Sequence, residues 1–192
     1  EIISEIPKLK DKIKIIPGPL PKVPYIKKSF DDVLFLYLGG DDPTKGIEML
    51  IKPCIIRFLK RNRIKIFVAK VLKRRWRLLL ERLNCKYGSI FIVSGMLPYK
   101  KVLELYSKAK ALLFPSIVEE PLPSVILESM LAGTLPIASR AGGVPEIVQG
   151  TYAEGLMFTP GDAEEMADRV VKVLSMSKEQ LVDIGCELRE TV

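Results

Sequence analysis

Short apolar runs alternate along this chain with longer segments in which apolar residues recur at helical spacing. The apolar runs of strand length lie at residues 33–38, 63–69, 89–94, 111–116, 135–139 and 155–159. The segments expected to be helical lie at residues 46–60, 70–85, 99–110 and 163–174. This alternation predicts an α/β domain with a Rossmann-like three-layer arrangement, in which helices cover both faces of a parallel sheet of about six strands.

Proline sets the first thirty residues apart from the rest. Residues 13–17 alternate like a short strand, and four prolines follow between positions 17 and 24. We therefore expect residues 1–30 to be a lead-in segment and connector, with residues 1–192 forming one domain. The chain begins with Glu1 instead of methionine, which suggests a piece of a longer protein.

The densest group of chemical signals lies in residues 119–150. The prolines that follow Glu120 lack amide donors and disfavour helical geometry in the preceding residue. Glu120 is therefore expected in a loop, with a helix beginning near Leu122 or Pro123. Glu128 then lies inside that helix, within about 8 Å of its start. The two carboxylates share one neighbourhood.

A glycine loop follows the same helix. Gly142 and Gly143 precede a second predicted helix start at Pro145. Carboxylates accept paired hydrogen bonds from sugar hydroxyls, while helix N-termini and glycine loops offer amides to phosphates. A ligand with ribose, diphosphate and sugar parts suits this combination of carboxylates and backbone amides. Taken alone, the glutamates leave another interpretation open, in which they are solvated and the glycines only turn the chain.

The same stretch resembles one enzyme family. Glu120 and Glu128 stand eight positions apart. They are followed in order by Ala132-Gly133-Thr134, Pro136-Ile137-Ala138 and Gly142-Gly143-Val144-Pro145-Glu146. This order resembles the nucleotide-binding segment of the retaining glycosyltransferases of family 4, a GT-B group also called glycosyl transferases group 1. The resemblance covers roughly residues 10–175.

The resemblance implies a C-terminal donor-binding domain, one half of a GT-B fold, that uses a nucleotide-diphosphate sugar. Glu128 would hold the ribose hydroxyls, and Glu120 would face the donor sugar. Lys45, with the amides near Ser124 and Val125, would stabilise the leaving diphosphate. Glu120 and Lys45 are therefore the catalytic candidates, and the sugar would be transferred with retention at the anomeric carbon.

A glycine turn after the first buried strand is the expected diphosphate contact. The family carries Gly-Arg here, then a short turn and Lys-Gly. Gly39, Lys45 and Gly46 match this pattern, but Gly40 stands where the arginine is expected. One of two phosphate-binding cations is therefore missing, which predicts reduced donor affinity or turnover.

A second glycine turn follows the strand at residues 89–94. In the family this turn lies against the nucleobase, so Gly95, Met96 and Leu97 are candidates for the base pocket. A plain strand-to-helix turn would have the same sequence pattern.

The residue inventory excludes several kinds of site. The chain has no histidine, and its three cysteines are widely spaced. We therefore expect no disulfide framework, no zinc site and no Ser-His or Cys-His nucleophile, and a reducing cytoplasm fits best. Transferases of this family generally need no metal or cofactor, so none is expected.

The net charge of +7 comes from one stretch. Residues 1–56 sum to +1, residues 57–77 to +10 and residues 78–192 to −4. At the end of residues 57–77 begins a basic helix, in which the helical spacing of Leu72, Trp76, Leu79 and Leu83 predicts that these side chains face the core. This leaves Lys73, Arg74, Arg75 and Arg77 outward, and a solvated helix face is their default interpretation. Attraction to an anionic membrane surface, which would make the protein peripheral at the inner face, is the functional alternative. Nucleic acid is disfavoured because aromatic residues are sparse there.

We therefore expect a glycosyltransferase domain that is weakly active or inactive alone. An N-terminal domain, absent from this chain, would bind the acceptor glycan or lipid-linked acceptor. Three other interpretations stay open: a non-catalytic nucleotide-sugar-binding module, a module that binds anionic surfaces, or a GT-B-shaped sugar-nucleotide epimerase.

Overall fold

The sheet has five parallel strands. The computed structural model describes residues 22–30 and 34–192, so the strand predicted at residues 13–17 lies outside the described residues. The strands are β1 (Leu34–Tyr37), β2 (Lys65–Val68), β3 (Phe91–Val93), β4 (Ala111–Phe114) and β5 (Leu135–Ala138). They lie side by side in the order β3-β2-β1-β4-β5.

Helices lie in the connections between the strands and after β5. They are α1 (Ile47–Leu50), α2 (Pro53–Arg61), α3 (Arg74–Tyr87), α4 (Tyr99–Lys108), α5 (Ser124–Leu131), α6 (Val144–Val148), α7 (Ala163–Leu174) and α8 (Lys178–Thr191). Every residue of β1, β4 and β5 is buried. Because side chains alternate between the two faces of a strand, both faces of the sheet must be covered there. The predicted Rossmann-like α/β fold is confirmed.

The prediction of a strand at residues 155–159 is wrong. The segment Tyr152–Leu156 forms a 3-10 helix, and the Thr151 hydroxyl caps it by accepting a hydrogen bond from an amide. Phe158 makes only an isolated parallel bridge with Ser139 at the edge of the sheet. A short apolar run is equally compatible with a buried helical turn, and burial of Leu156 is achieved that way here.

The helix predicted at residues 46–60 is interrupted. It forms as α1 and α2 because Pro53 has no amide donor and forces the preceding Lys52 out of helical geometry, with ψ 139°.

The basic helix begins at Arg74, not at Lys70 as predicted. Lys73 stands at the N-cap with ψ 149°, and the Asp41 carboxylate accepts a hydrogen bond from its amide at 2.7 Å. The predicted orientation is confirmed, since Trp76 is buried. The arginines at positions 74, 75 and 77 are exposed.

The helix predicted within residues 119–150 forms as α5, and it begins within two residues of the predicted position. Helix α5 follows Pro123 at its N-cap, and Gly133 just beyond its end has φ +65°. Asp162 caps α7 by accepting from two amides, and Ser177 and Gln180 form the capping box of α8.

The last helix is attached to the connector that precedes β1. The Arg189 guanidinium donates to the Val23 carbonyl at 3.0 Å and to the Leu131 carbonyl at the end of α5. Nearby, the Lys28 ammonium donates to the Tyr106 carbonyl at 2.9 Å and to the Thr134 hydroxyl. The connector is thereby fixed to the same side of the sheet as α5 and α8.

The order of the strands reverses between β1 and β4. The chain runs outward from β1 to β2 and β3, then returns to the other side of β1 and continues through β4 to β5. Ligands of open α/β sheets bind in the crevice beyond the carboxyl ends of the strands at such a reversal. Within the described residues, none of the helices has the length and apolar composition needed to cross a membrane.

Candidate functional site

The loop after β1 is fixed against the loop after β4. The Thr44 carbonyl accepts a hydrogen bond from the Ile117 amide at 2.8 Å. Gly46, with φ +77°, approaches so closely that a Cβ would lie 1.9 Å from the Pro115 carbonyl oxygen. Only glycine fits this position, because a side chain there would push the two loops apart. This contact sets the position of Lys45 in the crevice.

Lys45 forms an ion pair with Glu120, 75 positions later in the chain. The two side chains are only 25% and 32% exposed. The buried Tyr37 hydroxyl lies 3.0 Å from the Gly40 carbonyl oxygen and 3.2 Å from the Lys45 carbonyl oxygen, and its single proton is shared between these two acceptors, which anchors the backbone at Lys45. Burial raises the pKa of Tyr37, which keeps this hydroxyl protonated as a donor.

The glycine loop supports the loop that carries Glu120. The Gly143 amide donates to the Glu120 carbonyl at 2.8 Å. A Cβ at Gly142 would lie 2.3 Å from that same carbonyl oxygen, and one at Gly143 would lie 2.0 Å from the Pro121 oxygen. The Gly143 amide is therefore already engaged, and both glycines set the position of the acidic loop.

These loops enclose a cavity of about 220 Å³ at the carboxyl ends of β1 and β4. It is lined by Leu38, Gly39, Lys45, Lys70, Leu113, Phe114, Glu120, Pro123, Ser124 and Val125. The lining includes five predicted site residues, namely Gly39, Lys45, Glu120, Ser124 and Val125. Sites for drug-sized ligands usually measure about 300–1,000 Å³, so this cavity suits one polar part of a larger ligand.

The amino end of α5 opens onto this cavity. Its N-cap is Pro123, and no side chain caps the helix. The first amides of a helix have no partner within the helix. Among the described residues, the amides of Ser124 and Val125 donate no hydrogen bond to any other group. They are available to an anion bound beside Lys45.

Glu128 lies one turn further along α5, on the same face as Val125. Burial raises the pKa of its carboxyl group, and the residue is half-buried. In the described part of the chain this carboxylate has no hydrogen bond or ion pair. Burial raises the pKa of Tyr99, and the Glu128 charge raises it further, so the carboxylate lies near the amino end of α4.

The predicted base turn does not reach the cavity. Gly95 has φ +77°, and Met96 is 71% exposed. With Leu97, they follow β3 at the edge of the sheet and lead into Tyr99, the residue that Glu128 perturbs. Gly95, Met96 and Leu97 do not line the cavity that contains Lys45, whereas Tyr99, two residues after the turn, lies near Glu128.

Lys70 is a cavity residue that the sequence analysis did not identify as part of the site. It follows β2, the strand next to β1, and was expected to begin the basic helix. The sequence signal that could have identified it is its position as the first charged residue after β2. No three acidic or metal-ligating side chains among the described residues lie close enough together to hold a metal ion.

The sequence pattern of the family described as "Glycosyl transferases group 1" matches residues 25–187 of this chain. The chain belongs to that family. Its residues are 31% identical over 147 positions to the uncharacterized glycosyltransferase MJ1607 of Methanocaldococcus jannaschii. The match covers 76% of this chain and 36% of that relative.

Solved structures of glycosyltransferases share the fold of this group 1 domain. Sucrose-phosphate synthase from Thermosynechococcus elongatus superposes with a TM-score of 0.69 and 25% identity, over 84% of this chain and 40% of that protein. Anabaena HepE, in complex with UDP and glucose, has a TM-score of 0.68 and 19% identity, over 82% of this chain and 42% of its own. The chain thus has the Rossmann-like fold found in GT-B glycosyltransferases and spans less than half the length of either enzyme.

Proposed function

We propose that this group 1 domain binds the nucleotide-diphosphate sugar of a retaining glycosyltransferase of family 4. The observation that carries the proposal is the cavity at the strand reversal, where the Lys45 ammonium, the Glu120 carboxylate and the unpaired amides of Ser124 and Val125 meet. The arrangement offers positive groups to a diphosphate and an acidic group to a sugar.

The main chemical task is to stabilise the leaving group. When the bond between the anomeric carbon and the diphosphate oxygen breaks, negative charge develops on the diphosphate. Lys45 and the α5 amides are fixed donors for that charge, which is the arrangement that lowers such a barrier most. Lys45 occupies one oxygen of Glu120, and a carboxylate has a second oxygen that can accept from a sugar hydroxyl.

Glu128 suits the ribose part of the donor. Its carboxylate is half-buried and lacks a partner in the described part of the chain, and a partly desolvated carboxylate gains strongly from hydrogen bonds. Two adjacent ribose hydroxyls provide them. The chain passes from Gly95, Met96 and Leu97 into Tyr99, whose pKa the Glu128 charge raises. This supports a base position beyond the ribose.

The parent protein would supply the acceptor site. The chain spans 36% of MJ1607 and 40% of sucrose-phosphate synthase, which supports a second, N-terminal domain for an acceptor glycan or lipid-linked acceptor. We therefore expect the isolated chain to bind donor and to transfer little, in the cytoplasm of the source cell. The proposed chemistry uses an ammonium and backbone amides, with no cofactor.

The test is a calorimetric titration of the chain with UDP-glucose, GDP-mannose and ADP-glucose. We expect one donor to bind, and Lys45→Met and Glu128→Gln each to weaken its binding by about 10- to 100-fold, because a hydrogen bond to a charged group contributes about 1.5–3 kcal/mol. Glu81→Gln, an exposed position on α3, is the matched control for the lost negative charge. Absence of binding by every donor, or equal affinities of the Glu128 and Glu81 variants, would refute the proposal.

A further inference from the structure

Lys70 brings a second ammonium group to the cavity. It follows β2, which pairs with β1, so it reaches the same edge of the sheet as Lys45. The amide of the preceding Ala69 donates to the Tyr37 carbonyl at 3.1 Å, which fixes the backbone next to Lys70. The lysine is therefore held at the crevice by the sheet itself.

The stem of Lys70 occupies the space above Gly40. A Cβ at Gly40 would lie 2.8 Å from the Lys70 Cδ and 3.4 Å from its Cγ. Gly40 also has φ +71°, a conformation that disfavours other residues. A long side chain at position 40 and the present side chain at position 70 would thus compete for one volume.

Lys70 also supplies the net positive charge of the cavity. The charged lining residues are Lys45, Lys70 and Glu120, and the first is paired with the third. Within the part of the chain that the structure describes, the Lys70 ammonium has neither a hydrogen bond nor an ion pair. The nearby carboxylates of Asp41 and Asp42 accept from backbone amides. Without Lys70, the formal charge of the cavity lining would be zero.

We propose that Lys70 is the second diphosphate-binding cation of this site and replaces the cationic side chain that Gly40 lacks. It enters the cavity from the neighbouring strand instead of from the loop after β1. This inference rests on the proposed function, because it concerns the same donor. It reverses the expectation that the glycine at position 40 leaves the diphosphate with only one cation.

The experiment compares a nucleoside diphosphate with its monophosphate. The probe is whichever of UDP, GDP and ADP binds the chain most tightly, together with the matching monophosphate. We expect Lys70→Met to weaken the diphosphate about tenfold and to reduce its salt dependence, while the monophosphate changes less. Lys70→Arg keeps the charge and should keep most of the affinity. Lys65→Met is the matched control, since Lys65 is exposed at the opposite end of β2.

The outcomes separate the two proposals. If Lys45→Met weakens the diphosphate but Lys70→Met behaves like Lys65→Met, the role of Lys70 is overturned and the proposed function stands. If no nucleoside diphosphate binds to the unmodified chain, both the proposed function and the role of Lys70 are refuted. Lys70 is exposed and methionine preserves its stem, so a thermal melt matching that of the unmodified chain should accompany each binding measurement.

Discussion

The contact between the glycine loop and the acidic loop can be tested with a single methyl group. Gly143 has φ −81° and ψ 2°, the conformation of the third residue of a type I turn, which most residues adopt, so alanine adds little backbone strain. In Gly143→Ala the new Cβ would lie 2.0 Å from the Pro121 carbonyl oxygen, which is 1.4 Å short of ordinary contact. The cost is therefore almost entirely a steric clash, and it is relieved only if the two loops separate.

The expected effect is moderate on stability and larger on binding. Overpacking of this kind costs about 1–3 kcal/mol, which lowers the melting temperature of a domain of this size by about 2–12 °C. Separation of the loops also lengthens the hydrogen bond from the Gly143 amide to the Glu120 carbonyl. Because Glu120 holds Lys45, we expect the donor affinity to fall by about tenfold or more.

Two other glycines serve as controls for the assay, which combines scanning calorimetry with nucleotide titration. Gly150 has φ +73°, and a Cβ added there would have no atom within 4 Å, so Gly150→Ala should lose about 1–2 kcal/mol of stability through backbone strain and bind normally. Gly142, with φ +55°, combines strain and clash, so Gly142→Ala should be the least stable. The reasoning fails if Gly143→Ala melts and binds like the unmodified chain.

Two further predictions concern charge. Burial lowers the pKa of Lys28 from 10.5 to about 7, so between these values the unfolded chain binds more protons and stability rises with pH. Urea unfolding should show this rise, up to about 1.4 kcal/mol per pH unit, in the unmodified chain and in Lys27→Met but not in Lys28→Met; parallel curves would contradict it. For α3, vesicles with anionic lipid should sediment the chain at low salt only, and replacing Arg74, Arg75 and Arg77 with glutamine should abolish this. If vesicle binding did not change with salt or with these substitutions, the three arginines of α3 would be solvated surface residues with no part in membrane binding.

Much of the sheet and of the acidic segment follows from local rules. Prolines and glycines on either side of α5 fix where it begins and ends, and Asp162 fixes the start of α7. The alternation of apolar runs predicts the parallel sheet because each run must be covered on both faces. The interruption at Pro53 was also within reach of the sequence, since proline inside a helix removes a hydrogen bond.

Other features depend on which strands become neighbours. Lys70 follows a strand that is paired with β1, and only this pairing brings it above Gly40. The close approach of Gly143 to Pro121 likewise joins loops that follow different strands. The strand prediction at residues 155–159 failed for a different reason, since the buried apolar residues there are compatible with either a strand or a helical turn.

The Arg189 side chain couples the local unfolding of two segments of the domain. Its guanidinium is shared between the carbonyls of Val23, 166 positions earlier, and of Leu131 at the end of α5. Neither the connector nor α8 can detach without breaking the same group of bonds. The two segments should therefore unfold locally as a single cooperative unit, in contrast to the independent fraying that is common at the ends of a domain.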